Sequence, residues 1–154
     1  MNDPGNTRGG AWVVAQNVLM VAGLVVAPLR CCDWSGDWSQ PVGVVFMVTG
    51  AVFGVAGVRA LGRNLTPFPR PREDSQLVQH GIYAFVRHPL YACVVFVTAG
   101  WALYWRSLGA VITTVLLGVV LDAKARLEER WLREKFPGYL EYARRVRRFV
   151  PWIY

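Results

Sequence analysis

The chain has 154 residues, of which 54% are hydrophobic and only 18% charged, with a mean hydropathy of +0.29. This supports one domain and excludes an ordinary water-soluble globule, because such a composition belongs in lipid. The net charge of +7 comes from arginine, since Lys124 and Lys135 are the only lysines; in a membrane protein it reports topology and contact with anionic lipid rather than a nucleic-acid partner.

The opening Met1 to Gly10 is polar and glycine-rich, and the apolar run after it is too long for a signal-peptide core. The first segment is therefore expected to remain as a transmembrane helix. That helix covers residues 11–29, close to the roughly 20 residues that cross a bilayer core. Gln16 and Asn17 lie inside it, and polar amides in hydrocarbon face other helices. A polar loop follows with Trp34 and Trp38, residues suited to the membrane interface, and Pro41 is expected to open a second helix over 41–58. Gly50 and Gly54 in this helix have the spacing that lets two backbones approach closely, which serves packing and makes a homodimer conceivable beside a monomer.

From Arg59 to Arg87 the chain turns polar, and no regular helix should cross Pro67, Pro69 and Pro71. Pro89 is placed to open a third helix over 90–104, since proline's missing N–H is not needed at a first helical position, with His88 at its mouth. A fourth span, 108–121, completes a tight hairpin across Trp105-Arg106-Ser107. Beyond Asp122 the sequence is charged and helical to about Phe136, breaks at Pro137-Gly138, and ends in a basic, aromatic tail. Arginine crowds the 59–87 loop and the tail but is scarce in the other two loops, so both termini and that loop are expected in the cytoplasm. The spans make one all-α domain over residues 1–154, with 59–89 and 122–154 as cytoplasmic segments at its functional site.

Three cysteines, Cys31, Cys32 and Cys93, show no CxxC spacing, so a zinc or redox site has little support. The hairpin instead brings Arg87, His88 and Tyr91 beside Lys124, Glu128 and Glu129 at one membrane face. Leu121, Ala125, Glu128 and Leu132 fall on one helical stripe, so Glu128 points where the apolar residues point. A carboxylate there needs a cation or a ligand, since unpaired burial is costly; Lys124 four residues earlier and Arg87 across the hairpin are the candidate cations. The start of the third helix offers N–H groups for a ligand anion, or else Arg87 reaches lipid headgroups while His88 caps the helix.

The string Leu77-Val78, Gly81-Ile82-Tyr83, Arg87-His88-Pro89 and Tyr91, a hairpin, then Glu128-Glu129, Leu132, Phe136, Tyr139 and Tyr142 resembles the isoprenylcysteine carboxyl methyltransferases. The phospholipid N-methyltransferases share much of it. The resemblance covers about the last 80 residues and implies an integral membrane enzyme that uses S-adenosylmethionine; the expected location is a bacterial inner membrane. It places cofactor contacts at Leu77, Val78, Tyr83, His88, Pro89, Leu90, Tyr91 and Glu128, and makes Lys124, Glu128, Glu129 and Arg87 the candidate catalytic residues. In the eukaryotic prenylcysteine enzymes an arginine that contacts the substrate stands four residues before the glutamate; Lys124 keeps its charge and loses its planar fork. The segment before Leu77 also departs from the family, reading Ser75-Gln76.

Methyl transfer from a sulfonium is an in-line displacement, so the protein's work is alignment and exclusion of water. On this reading Glu128 takes the cofactor's ammonium end, the mouth of the third helix takes its carboxylate, and the acceptor enters sideways from the bilayer. An isoprenylcysteine carboxylate needs no base, whereas a phospholipid amine must lose a proton, and Glu129 and His88 are both candidate bases. Two other readings stand beside it: a membrane NADPH-dependent reductase of the sterol reductase type, with Arg63, Arg70 and Arg72 for the dinucleotide phosphates, and a lipid-binding scaffold without activity.

Overall fold

A computed structural model describes residues 9–29, 34–68 and 74–149. The Cys31-Cys32 pair, the Pro69 to Arg72 part of the proline segment and the last five residues of the tail lie outside this description. Five α-helices carry the described chain: α1 (Gly10–Val26), α2 (Ser39–Leu61), α3 (Pro89–Tyr104), α4 (Leu108–Lys135) and α5 (Tyr139–Arg145). No strand longer than an isolated bridge is present among the described residues, so the all-α expectation holds.

Three of these helices, α1, α2 and α4, are long and apolar enough to cross a membrane. The sixteen residues of α3 reach about 24 Å at 1.5 Å per residue, short of a full hydrocarbon core taken alone. What marks the bundle as a membrane protein is its outer surface. Val14, Val18, Val21 and Val25 on α1, Val45, Val48, Val52 and Val55 on α2, and Ile112, Val115, Leu116 and Val119 on α4 are all half-exposed or more. Each set recurs at helical spacing, so each helix presents an apolar face to its surroundings, the pattern that lipid rather than water accepts.

In the bundle α2 lies along α3, α1 lies along α4, and the hairpin packs α3 on α4. The seam between α2 and α3 is built from glycine at seven-residue intervals rather than from the Gly50–Gly54 pair alone. A Cβ on Gly43 would stand 2.6 Å from the Gly100 carbonyl oxygen, one on Gly50 2.9 Å from that of Cys93, and one on Gly57 2.9 Å from Leu90. Small residues let backbones touch where no hydrophobic force drives helices together. The glycine face of α2 is thus covered by this chain's own α3, and a homodimer would need another surface.

Two expectations change. Pro41 does not open α2, which begins two residues earlier at Ser39; the first four N–H groups of a helix lack intrahelical acceptors, so proline at the third position costs it nothing. Nor does a separate helix begin near Asp122, because α4 runs unbroken for 28 residues. Nothing in 108–135 interrupts it: Ser107 Oγ accepts the Ala110 N–H at its start, and it ends just before Pro137. At roughly 42 Å, α4 outruns the hydrocarbon core and carries its charged turns beyond it.

Candidate active site

The site forms where the polar link between α2 and α3 folds back over the overhanging end of α4. After α2 the chain turns at Gly62–Asn64, and the two halves of the link are stitched together: Asn64 Nδ2 donates to the Gln76 carbonyl at 3.3 Å, and the Gln76 N–H donates to Asn64 Oδ1 at 3.2 Å. Lys135 Nζ on α4 donates to Ser75 Oγ at 2.9 Å. The link then makes a helical turn at Gly81–Ala84, entered through a φ of +62° at Gly81 that glycine adopts without a Cβ clash. Pro89 takes the first position of α3, as expected, with His88 preceding it.

The tail completes the enclosure. After α5 the backbone returns beside residues 86–88, where the N–H of Arg87 donates to the Arg147 carbonyl at 2.8 Å and that of His88 to the Arg148 carbonyl at 3.0 Å. The N–H groups of Arg87 and His88, which precede the first turn of α3, are therefore occupied by the tail, and the His88 side chain makes no capping bond. Tyr142 Oη donates to the Tyr83 carbonyl at 2.7 Å, fixing α5 against the same turn. Burial raises the hydroxyl pKa of Tyr83, Tyr139 and Tyr142 above the ordinary tyrosine range, so all three stay neutral donors.

Between the link, α3, α4 and α5 lies a partly open cleft with a cavity volume of about 110 Å³. Of the residues singled out in the sequence, Leu77, Val78, Tyr83, Arg87, His88, Leu90, Tyr91 and Glu128 line it. Pro89, Lys124 and Glu129 do not. Phe68, Tyr83, Tyr91, Phe136, Tyr139 and Tyr142 make much of the wall aromatic, and Glu128 is its carboxylate.

The two adjacent glutamates have different surroundings. The Glu128 side chain keeps 26% exposure at the cleft and accepts the Tyr91 hydroxyl at 2.7 Å. Glu129 is 2% exposed and is held by Arg148 through two bonds of 3.0 Å, by His88 Nε2 at 3.3 Å, by Arg87 at 3.4 Å and by Arg133 at 3.6 Å. Arg148 also reaches Asp122 at 2.8 Å; its bonds to Glu129, above all, push the guanidinium pKa up from its ordinary value. The expected partnership of Arg87 or Lys124 with Glu128 is thus corrected. Arg87 turns to Glu129, and Lys124 donates to Gln16 Oε1 at 2.8 Å and to the Pro67 carbonyl at 3.1 Å. Periodicity placed the apolar stripe of α4 well, since Leu121 and Ala125 are fully buried. It could not show that the tail covers the flank on which Glu129 stands.

His88 lies between the two carboxylates. Its Nδ1 is 3.8 Å from Glu128 Oε2, its ring stacks on Tyr91 with centroids 5.2 Å apart and planes 5° from parallel, and Phe149 closes a further side. Two buried polar atoms on cleft residues, Arg87 Nε and Tyr139 Oη, have no hydrogen-bond partner among the described residues. Those residues also hold no cluster of three or more metal-ligating side chains.

Sequence reasoning missed Arg148 and Asp122. Arg148 is one of several similar arginines in the tail, and only the return of the backbone beside Val86 selects it.

Comparison with known proteins places this arrangement. The chain is 31% identical over 146 residues to the cobalt-zinc-cadmium resistance protein CzcN of Cupriavidus metallidurans, covering 94% of this chain and 63% of that one. It is 30% identical over 116 residues to a probable protein-S-isoprenylcysteine O-methyltransferase of Oryza sativa subsp. indica (73% and 61% covered), and 28% identical over 120 residues to protein-S-isoprenylcysteine O-methyltransferase A of Arabidopsis thaliana (75% and 61%). It spans less than two thirds of the length of each of these relatives. The profile of the phospholipid methyltransferases matches residues 38–138, from the start of α2 to the residue before α5, and this chain belongs to that family.

Proposed function

We propose that the chain is an integral membrane methyltransferase that takes a methyl group from S-adenosylmethionine and passes it to a lipid-like acceptor held in the bilayer. The observation that carries this reading is the cleft at the overhanging end of α4: an aromatic and apolar chamber with one carboxylate, at the boundary between apolar spans and polar segments. The family and the methyltransferases among its relatives support it. A membrane reductase draws no support from either.

The residues present fit the cofactor. Glu128 suits its ammonium end, Leu77, Val78 and Leu90 offer apolar walls for a flat base, and the rings of Tyr83, Tyr91 and Phe136 are the surfaces on which a sulfonium is stabilised by the quadrupole of the ring. The unpartnered Arg87 Nε and Tyr139 Oη are donors on cleft residues; a buried donor left unpaired costs about 1–3 kcal/mol, which a bound polar group offsets. When bound, the cofactor supplies an electrophilic methyl group. The protein's part is to hold acceptor and methyl in line and to keep water out. For an acceptor that must lose a proton, His88 is the base on the cleft side, and Glu129 behind it accepts from Nε2 and leaves Nδ1 facing Glu128. An isoprenylcysteine carboxylate, a phospholipid amine or a similar small hydrophobic acceptor falls within this reading.

Residues 1–154 act as one unit in it, as a monomer or a homodimer in the bilayer. The basic 59–89 link, residues 122–154 and both termini lie on the cytoplasmic face of a bacterial inner membrane, the side where arginine-rich loops are retained. The test is calorimetry of S-adenosylhomocysteine on detergent-solubilised protein, with NADPH as the contrasting ligand. Binding of the first, weakened about tenfold by Glu128→Gln, which amounts to about 1.4 kcal/mol, is expected; binding of NADPH alone overturns the reading.

A further inference from the structure

Lys124 is 2% exposed, lies one turn before Glu128 and does not line the cleft. An ammonium has three N–H donors and no acceptor, and three partners surround this one. Nζ donates to Gln16 Oε1 on α1 and to the Pro67 carbonyl, and it stands over the Tyr91 ring, 5.1 Å from the centroid. Two hydrogen bonds and a ring face therefore surround the ammonium, and it lies outside the cleft lining.

The three partners belong to three separate parts of the site. Pro67 lies in the 62–68 segment, whose Asn64, Thr66 and Phe68 form one wall of the cleft. Tyr91, on α3, also lines the cleft and holds Glu128 through its hydroxyl. Gln16 is on α1, which contributes nothing to the cleft lining and lies outside the matched residues 38–138. An uncharged amide inside an apolar span needs polar partners: the Gln16 amide nitrogen donates to Met20 Sδ at 3.8 Å on its own helix, and its oxygen accepts from this lysine.

We propose that Lys124 is a positioning residue: it fastens the 62–68 segment down over the cleft and supports Tyr91, and Gln16 holds it there, which makes α1 part of the site's framework. The substrate-contacting role that its place in the family pattern implies is not the one it has here. The latch is a matter of geometry and stands without any assumption about catalysis. Its effect on ligand affinity rests on the reading of the cleft as the methyl-donor site.

Hydrogen–deuterium exchange of the full chain in detergent micelles tests the latch directly. Gln16→Leu, on a helix remote from the cleft, removes one strong acceptor, and exchange across residues 62–68 is expected to rise about tenfold while that of α5 stays unchanged, as local opening predicts. Gln16→Glu keeps an acceptor opposite the ammonium and is expected to hold wild-type exchange. Lys124→Met should loosen 62–68 at least as much; should it fail to fold, the Gln16 pair carries the test. In calorimetry Gln16→Leu is expected to weaken S-adenosylhomocysteine about fivefold and Gln16→Glu to leave it unchanged. Wild-type exchange at 62–68 in Gln16→Leu overturns the latch. Failure of even the wild-type protein to bind S-adenosylhomocysteine overturns the functional reading and leaves the exchange result to decide the latch by itself.

Discussion

Replacing Arg148 with methionine removes the principal partner of a carboxylate that has almost no access to solvent. Glu129 is 2% exposed and Arg148 15%; two of the guanidinium's bonds, both 3.0 Å, end on Glu129, and a third of 2.8 Å ends on Asp122. Removing one member of such a pair leaves a buried charge poorly compensated, at about 3–5 kcal/mol. His88, Arg87 and Arg133 remain within 3.6 Å of Glu129, so the lower end, about 3 kcal/mol, is expected. At about 2–4 °C per kcal/mol for a chain of this length, Arg148→Met should lower the thermal midpoint in detergent by roughly 6–12 °C. The sharper measurement is the double-mutant cycle with Glu129→Gln, which takes away the charge that Arg148 neutralises. The double variant should then be more stable than the summed single effects by about 2 kcal/mol. Additivity to within about 0.5 kcal/mol would refute the argument, because it would mean that Glu129 draws its compensation from water or from the remaining cations.

Three further predictions separate packing from hydrogen bonding. Gly50→Leu forces a side chain into the backbone of α3, where even a Cβ would sit 2.9 Å from the Cys93 carbonyl oxygen, and should destabilise by about 1–3 kcal/mol or prevent folding; Gly118→Ala, at a position on α4 with nothing within 4 Å, should stabilise by about 0.5–1 kcal/mol through helix propensity, both read by thermal unfolding in detergent. Tyr142→Phe removes the 2.7 Å bond to the Tyr83 carbonyl and leaves that oxygen buried, so a loss of about 1–2 kcal/mol is expected, with faster deuterium exchange at 81–84 as its local signature.

The spans were legible because hydrocarbon imposes one strong rule on composition and length, and α1, α3 and the beginning of α4 fall where apolar runs begin. The pairing of helices was legible only in part. Gly50 and Gly54 announced a close approach, but a spacing does not say which helix approaches, and the seam to α3 uses Gly43, Gly50 and Gly57. At the site, the hairpin argument brought Arg87, His88 and Tyr91 beside Glu128 and Glu129. Which glutamate would be sealed and which left at the cleft depends on the path of the tail, a contact between residues about sixty apart that no local pattern encodes. Lys124 illustrates the same limit. Its charge and position were plain, but its partners on α1 and at Pro67 arise from how the bundle and the link fold over each other.

The pairing of Arg87 and His88 with Arg147 and Arg148 has a consequence for biosynthesis. The spans can insert one after another as they leave the ribosome, each satisfying its own backbone hydrogen bonds in the bilayer. Glu129, made before its principal cation, has to wait for Arg148, nineteen positions later, with Arg87, His88 and Arg133 as its only cations until then, so the pocket stays open until nearly all of the described chain has been translated. The site is therefore the last part of the molecule to mature, because the segment that closes it is the last of the described chain to leave the ribosome.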